Sequence, residues 1–316
     1  MTNHRVVITF LARFRIDLLL LVVAVSWGST YLVAKELVTP TTVVALLAVR
    51  MLGAAVILIL LVGARRERVT VDEVRVGFIL GVLLAAVFAF ETFGIVHTSA
   101  TNAGLIISLT VVFTPVLDAM VSGRRLPARF FLAALVAVVG VALLAGNGAL
   151  SPPTLGDLLI LVAAIARAVH VASMSKLTAG RRMDSLHLTT VQLATCATLF
   201  VAASLVTAES IPRYVASLDV RGWLLFLYLV LACTVFAFLV QLWAVRRTSP
   251  SRVSLLLGTE PVWAAVIGIA IAHDDVSLVG YCGIALILAG TTWGRSIEQR
   301  HRLRTASIGG VRPSSP

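Results

Sequence analysis

Apolar and polar positions divide the chain into long apolar runs separated by short polar segments. The runs fall at 16–34, 42–63, 76–96, 103–122, 129–146, 156–176, 186–207, 222–244, 253–272 and 278–295. A helix needs about 20 predominantly apolar residues to cross the hydrocarbon core of a bilayer. The pattern therefore predicts an all-α integral membrane protein with ten transmembrane helices.

The composition supports a membrane protein and argues against a nucleic-acid-binding one. Of the 316 residues, 59% are hydrophobic and 13% are charged, against about 45–50% and about 25% in soluble domains. The chain has 26 Lys and Arg residues but only 15 Asp and Glu. Because these basic residues form short clusters between apolar runs and not one compact face, we predict no nucleic-acid partner. The expected surroundings are a lipid bilayer.

Positive charges alternate along the chain in step with the apolar runs. If the N-terminus is cytoplasmic, 21 Lys and Arg residues fall in segments on the inside, and three fall outside: Lys35, Arg213 and Arg221. Lys and Arg are concentrated in the cytoplasmic loops of membrane proteins. The alternation predicts a multi-pass protein of the cell (plasma) membrane, bacterial in type, with both termini in the cytoplasm.

The chain contains an internal repeat. Residues 90–146 resemble residues 238–290, so that Thr98 and Pro115 correspond to Thr248 and Pro261. Two copies of five spans must have opposite orientations, because five is odd, and such inverted repeats are typical of secondary transporters with a central solute site. We therefore predict two inverted five-helix repeats around a central cavity. The predicted segments are a cytoplasmic N-terminal segment (1–15), a first repeat (16–150), a second repeat (151–295) and a disordered basic cytoplasmic tail (296–316).

Several short motifs occur in order along these runs. They are Trp27-Gly28-Ser29-Thr30, Arg50, Thr98-Ser99-Ala100-Thr101-Asn102-Ala103-Gly104, Glu260-Pro261 and Gly283-Ile284-Ala285-Leu286-Ile287-Leu288-Ala289-Gly290. With these motifs the chain resembles the EamA-type, ten-helix members of the drug/metabolite transporter superfamily over nearly its whole length. The resemblance implies export or exchange of small metabolites. The chain departs from the family at Arg167, near which an aromatic residue is common.

Five of the ionisable residues inside the apolar runs are candidates for the site. Arg50, Glu91, Arg167, His170 and Glu260 each carry a cost there, so they are expected to face protein or water. Arg50, Arg167 and His170 are candidates for binding an anionic group of the substrate, and Glu260 for binding solute or ion beside the break at Pro261. Because burial disfavours a charged carboxyl group, Glu91 and Glu260 are also candidates for proton coupling. The alternative is a structural role, such as pairing of Glu91 with Arg50 or Arg167. For Glu260 it is a well-packed kink with the carboxylate solvated near the cytoplasmic end.

Uncharged candidates for substrate binding are Trp27, Tyr31, Asn102 and Gln241. Trp27 and Tyr31 are four residues apart and share a helix face, where rings with polar tips suit a semi-polar cavity. Helix packing is the alternative for both rings. Asn102 and Gln241 can contact solute or hydrogen-bond between helices, as such residues commonly do in membranes.

These features favour a secondary active transporter that exports or exchanges a small metabolite, such as an amino acid or related organic compound, by alternating access. The chain has neither a P-loop motif for ATP nor an HExxH motif for zinc, and its three cysteines are isolated, so we predict no cofactor, no metal and no enzymatic activity. A flippase or carrier of a lipid-linked solute is the alternative transport function, and a membrane-embedded enzyme is the alternative of another class. A homodimer is left open.

Overall fold

The structure is a computed structural model that describes residues 2–65, 67–122, 126–145, 153–178, 181–207, 209–245 and 256–309. Within these residues every regular element is helical. The α-helices are α1 (Thr2–Leu37), α2 (Val43–Arg65), α3 (Val71–Val96), α4 (Ala100–Ile107), α5 (Thr110–Ser122), α6 (Ala128–Ala145), α7 (Leu155–Thr178), α8 (Ser185–Val206), α9 (Ile211–Ser217), α10 (Val220–Val230), α11 (Ala237–Val245), α12 (Glu260–Ala270) and α13 (Leu278–Gly309). A π-helical segment, Leu231–Phe236, joins α10 to α11.

Seven helical stretches in the described residues are long and apolar enough to cross a membrane. They lie in α1, α2, α3, α4–α5, α7, α8 and α10–α11, while α6 and α12 are apolar but shorter. The predicted class of an all-α membrane protein is therefore confirmed. The count of ten spans and the inverted repeat stay predictions. Residues 146–152, where the two repeats were predicted to meet, lie outside the described residues.

The fourth and eighth predicted spans depart from a continuous α-helix in the structure. The fourth span divides at Ser108-Leu109, where the Ser108 hydroxyl donates to the Leu105 carbonyl at 2.6 Å and the Thr110 hydroxyl to the Ile107 carbonyl at 2.7 Å. Pro115 lies inside α5, in the second part of this span. The eighth span widens into the π-helical segment, a feature that often occurs at functional sites.

The end of the chain differs from the sequence prediction. α13 continues to Gly309, through residues that were predicted to belong to a disordered tail. Between Arg295 and Ile308 the chain has neither Gly nor Pro, and several good helix formers allow the helix to continue. The final residues, 310–316, lie outside the described part of the chain.

Two apolar clusters hold the helices that carry the candidate site. The larger packs α2 against α3, α8 and α10, with fully buried side chains such as Leu47, Met51, Leu58 and Leu193. The second joins α1, α4, α7 and α12 and is rich in small side chains: Ala34, Ala100, Ala103, Ala163, Ala164 and Ala264. In this cluster α4 packs against α1, α7 and α12, and α1 and α12 approach each other closely, as is usual for helices in membranes.

Candidate functional site

An ion pair between α7 and the first residue of α12 forms the centre of the site. Arg167 Nη1 lies 3.6 Å from Glu260 Oε1, and the two side chains are 28% and 14% exposed. The buried Tyr31 on α1 donates its hydroxyl hydrogen to the same Glu260 oxygen at 2.7 Å. Three predicted site residues, from three helices, are therefore joined through one carboxylate.

Local sequence explains why Glu260 begins a helix at this position. Pro261 stands in the first turn of α12, where its missing N–H leaves no intrahelical hydrogen bond unmade. A break in the ninth span was expected beside Pro261, and a turn at residues 258–259 separates the helical residues 256–257 from α12. Gly28 allows α1 to pass close by, because a Cβ atom there would lie only 2.7 Å from Trp263 Cβ and 3.1 Å from the Glu260 carbonyl oxygen.

Trp27 borders the ion pair and is itself fixed by the π-helical segment. The Arg167 guanidinium carbon lies 6.0 Å from the centre of the Trp27 ring, at the outer limit of a cation–π contact. The indole N–H donates to the Cys233 carbonyl at 3.1 Å. The ring also meets Phe238 edge-on, with centroids 5.8 Å apart. Trp27 therefore forms an aromatic wall beside Arg167.

Arg50 is buried and contacts one residue from each half of the chain. Its Nε donates to the Thr234 hydroxyl at 3.1 Å, and its guanidinium carbon lies 5.0 Å above the Phe88 ring. Only 4% of the residue is exposed. Thr234 belongs to the π-helical segment, which thus contacts both Arg50 and Trp27.

Glu91 supplies the second carboxylate of the site. It is 5% exposed and lies within electrostatic range of Arg167, Arg50 and Glu260. Among the described residues its side chain makes neither a hydrogen bond nor an ion pair at contact distance. The two Arg and two Glu residues balance each other in formal charge, and no group within the described ranges donates to the Glu91 carboxylate.

The structure places the other predicted residues outside this cluster. His170 is buried and its Nε2 lies 2.9 Å from Gln192 Oε1, so its hydrogen bonding is met by protein. Asn102 donates through Nδ2 to Asp157 at 3.2 Å, close to the start of α7. Gln241 on α11 is half-buried and has no hydrogen-bond partner in the described part of the chain.

Several residues around the site were not identified from the sequence. Phe88, Thr234 and Phe238 are ordinary residues of apolar runs, and nothing in the sequence distinguishes them. Asp157 had two signals: it is a carboxylate at the edge of an apolar run, and it follows Thr154 at the spacing of a helix-capping box. The structure confirms that arrangement, with the Thr154 N–H and hydroxyl both donating to Asp157 Oδ2.

The sequence model of the EamA-like transporter family matches the chain twice, over residues 14–146 and 154–293. The chain belongs to the EamA-like transporter family. This family is part of the drug/metabolite transporter superfamily, so the resemblance seen in the motifs is confirmed. Its membership indicates a membrane transporter rather than an enzyme.

Similar proteins agree with this family. An "Uncharacterized transporter" of Archaeoglobus fulgidus is 26% identical over 280 residues, covering 87% of this chain and 84% of that protein. The "Uncharacterized transporter YetK" of Bacillus subtilis is 26% identical over 277 residues, covering 83% and 81%. A solved crystal structure superposes with a TM-score of 0.57 at 18% identity over 90% of this EamA-like chain and 98% of the other, a likeness in fold alone.

Proposed function

We propose that this EamA-like protein is a secondary active transporter that exports or exchanges a small metabolite, such as an amino acid or related organic compound, by alternating access. The observation that supports this most is the Arg167–Glu260 pair between α7 and α12. Charged groups inside a bilayer cost at least about 2.5–3.5 kcal/mol each on insertion scales, so they are retained mostly for function. The partial exposure of both side chains leaves them open to a solute.

The proposed solute is held between opposite charges. Arg167, with Arg50 nearby, binds a carboxylate of the solute, while Glu260 and Glu91 attract an amino group or exchange a proton. Trp27 and Tyr31 give the site an apolar wall with polar tips. In this proposal three predicted residues support the helices around the site: Asn102, His170 and Gln241. Asn102 and His170 are hydrogen-bonded to protein, and Gln241 is not in contact with the ion pair.

The proposed membrane arrangement is the ten-span topology of the sequence analysis. Both termini are cytoplasmic in the bacterial plasma membrane, and the repeats at 16–150 and 151–295 have opposite orientations. With this arrangement α3 crosses from the cytoplasmic side at Val71 to the extracellular side at Val96. Cysteine labelling of residues 209–219 from the cytoplasmic side only would contradict this topology.

A thermal-shift screen of small metabolites on purified protein, followed by uptake of the hits into reconstituted vesicles, tests the function. We expect Arg167→Gln to abolish uptake of a ligand that stabilises the native protein. Arg221→Gln is a matched control, because Arg221 pairs with Glu36 at 3.0 Å on the surface, where the two side chains are 73% and 42% exposed. Normal uptake by the Arg167 variant would refute the proposed site.

Proton coupling requires its own experiment. If Glu91 or Glu260 carries the coupled proton, Glu91→Gln and Glu260→Gln should each remove the pH dependence of uptake, since an amide does not titrate in this range. Unchanged pH dependence in both variants would exclude the proton role while leaving solute binding untouched.

A further inference from the structure

A polar cluster closes one end of the helix group that carries the ion pair. We call it the Asp157 latch and define it by Lys35, Thr98, Asn102, Thr154 and Asp157. Asp157 is 3% exposed and Thr98 is 8% exposed. Asp157 Oδ1 accepts from the Thr98 hydroxyl at 2.5 Å and from Asn102 Nδ2 at 3.2 Å. The latch thus connects α7, in the second half of the chain, to Thr98 and Asn102 in the first half.

The two oxygens of Asp157 have separate partners. Oδ2 accepts from the Thr154 N–H at 2.9 Å and the Thr154 hydroxyl at 2.7 Å, and the Asp157 N–H returns a bond to Thr154 Oγ1 at 3.1 Å. This is a capping box that starts α7. Because Oδ1 is not needed for the cap, its two bonds to the first half can break without unwinding α7.

Other elements meet at the same short segment. Lys35 at the end of α1 donates to the Thr98 carbonyl at 2.7 Å, and Asp274, after α12, accepts from the Thr101 N–H at 2.8 Å. Residues 98–101 are therefore held by α1, by α7 and by the connection that follows α12. A movement of this segment releases all three contacts at once.

The layer between the latch and the ion pair has a composition that allows its helices to separate. It is the Ala-rich cluster of α1, α4, α7 and α12, in which Ala103, Ala163 and Ala264 are at most 1% exposed. The cluster also buries Ile95, Ile107 and Ile160, but it is smaller than the cluster around α2 and α8, so separating its helices exposes less apolar area. Gly156 lies against the His97 backbone, where a Cβ atom would come within 2.4 Å. At this end close backbone approach adds to the packing of side chains such as Ile95 and Ile160.

We propose that the Asp157 latch is the extracellular gate of the transporter, and that loss of the Asp157 bonds to Thr98 and Asn102 accompanies opening at this end. The inference rests on the alternating-access function proposed above. Asp157 and Arg167 are ten residues apart on α7, so the latch lies about 15 Å along the helix axis from the ion pair. Water can replace the latch hydrogen bonds during opening, which keeps the open state accessible.

Side-specific thiol labelling tests the gate without a substrate. Cys196, Cys233 and Cys282 are replaced by Ala, and Ala103→Cys is introduced as a reporter directly beneath the latch. A membrane-impermeant maleimide is then applied to the extracellular side of intact cells. We expect Thr98→Val combined with Asn102→Leu to raise the labelling rate about tenfold, since the closed state loses two buried hydrogen bonds.

A matched control separates gating from general loosening. Thr190→Val removes a buried hydroxyl that donates only to the Leu186 carbonyl of its own helix, and the labelling rate should stay at the parent value. Ala34→Cys, in the same Ala-rich layer, is a second reporter should Ala103→Cys fold poorly. An unchanged rate at both reporters, an equal rise in the Thr190 variant, or labelling only from the cytoplasmic side overturns the proposal.

Failure of the gate proposal can be distinguished from failure of the proposed transport function. If uptake depends on Arg167 as expected but the latch variants label at the parent rate, only the gate is wrong. If the latch variants label faster but no Arg167-dependent uptake is found for any hit, the opening at this end stands and the proposed transport site is wrong.

Discussion

A double-mutant cycle on Arg167 and Glu260 distinguishes a solute-binding pair from a purely structural one. The charged atoms are 3.6 Å apart, which corresponds to a gross attraction of about 4.6 kcal/mol at an effective dielectric constant of about 20. Solvent screening at the 28% exposed Arg167 side chain and the desolvation of both groups reduce this value. We expect a net coupling free energy of about 1–3 kcal/mol.

The two single variants should lose different amounts of unfolding free energy. Arg167→Gln leaves two carboxylates, Glu91 and Glu260, without their nearest cation and should be the more destabilising change. Glu260→Gln keeps an oxygen that accepts from the Tyr31 hydroxyl, so it removes charge but not that hydrogen bond. In the double variant the uncompensated charge at Glu260 is gone, and part of the stability lost in Arg167→Gln should return.

Two measurements on the same four proteins complete the test. The free energy of unfolding in detergent gives the coupling, and vesicle uptake gives the function. We expect the double variant to regain stability but to stay inactive in uptake, because a structural repair does not restore a binding site. If the two single-variant effects sum to the double-variant effect within about 0.5 kcal/mol, the coupling is refuted. Restored uptake in the double variant would refute the binding role.

Three further substitutions test individual contacts. Tyr31→Phe removes a hydrogen bond to a carboxylate and should cost about 1.5–3 kcal/mol of unfolding free energy, with a raised KM for uptake; an unchanged KM and stability would contradict the contact. Thr234→Val deprives buried Arg50 of its hydrogen-bond acceptor and should cost about 1–3 kcal/mol in the same assay, and an undiminished stability would show that Arg50 is held otherwise. Gly104→Ala would place a Cβ atom 2.2 Å from Ala264 Cβ and should lower the unfolding temperature. Gly63 has open space around it, so Gly63→Ala should instead stabilise the protein by about 0.4–1 kcal/mol.

Continuous spans could be predicted from the sequence to within a few residues. The second apolar run, 42–63, corresponds to α2 (Val43–Arg65), and the seventh, 186–207, to α8 (Ser185–Val206). Both runs are bounded by polar segments, and Asp184 caps α8. The interruptions at Ser108-Leu109 and at Leu231–Phe236 were not predictable, because their hydrogen bonding departs from the α pattern without Gly or Pro at the break.

The charged residues of the site were visible in the sequence, but their partners were not. Arg50, Glu91, Arg167 and Glu260 interrupt apolar runs, and such residues face protein or water on energetic grounds. Glu91 was considered a partner of either Arg, yet the contact pair of Arg167 is Glu260, and Arg50 donates to Thr234. Which charged side chains pair depends on which helices are neighbours. The choice of neighbouring helices depends in turn on close packing at small residues such as Gly28 and Gly104. Solute binding by these residues stays a prediction.

The π-helical segment makes chain length, as well as residue identity, a determinant of the site. A π turn holds one residue more than an α turn, so deleting one residue from Leu231–Phe236 would return the segment to an ordinary α-helix. Six residues of π-helix and five residues of α-helix turn the chain by nearly the same angle, so α10 and α11 would keep their relative orientation while the residues between them change position. Thr234 and the Cys233 carbonyl could then no longer face both Arg50 and Trp27. A single-codon deletion, leaving every charged residue in place, is therefore a route to a changed specificity of the proposed binding site.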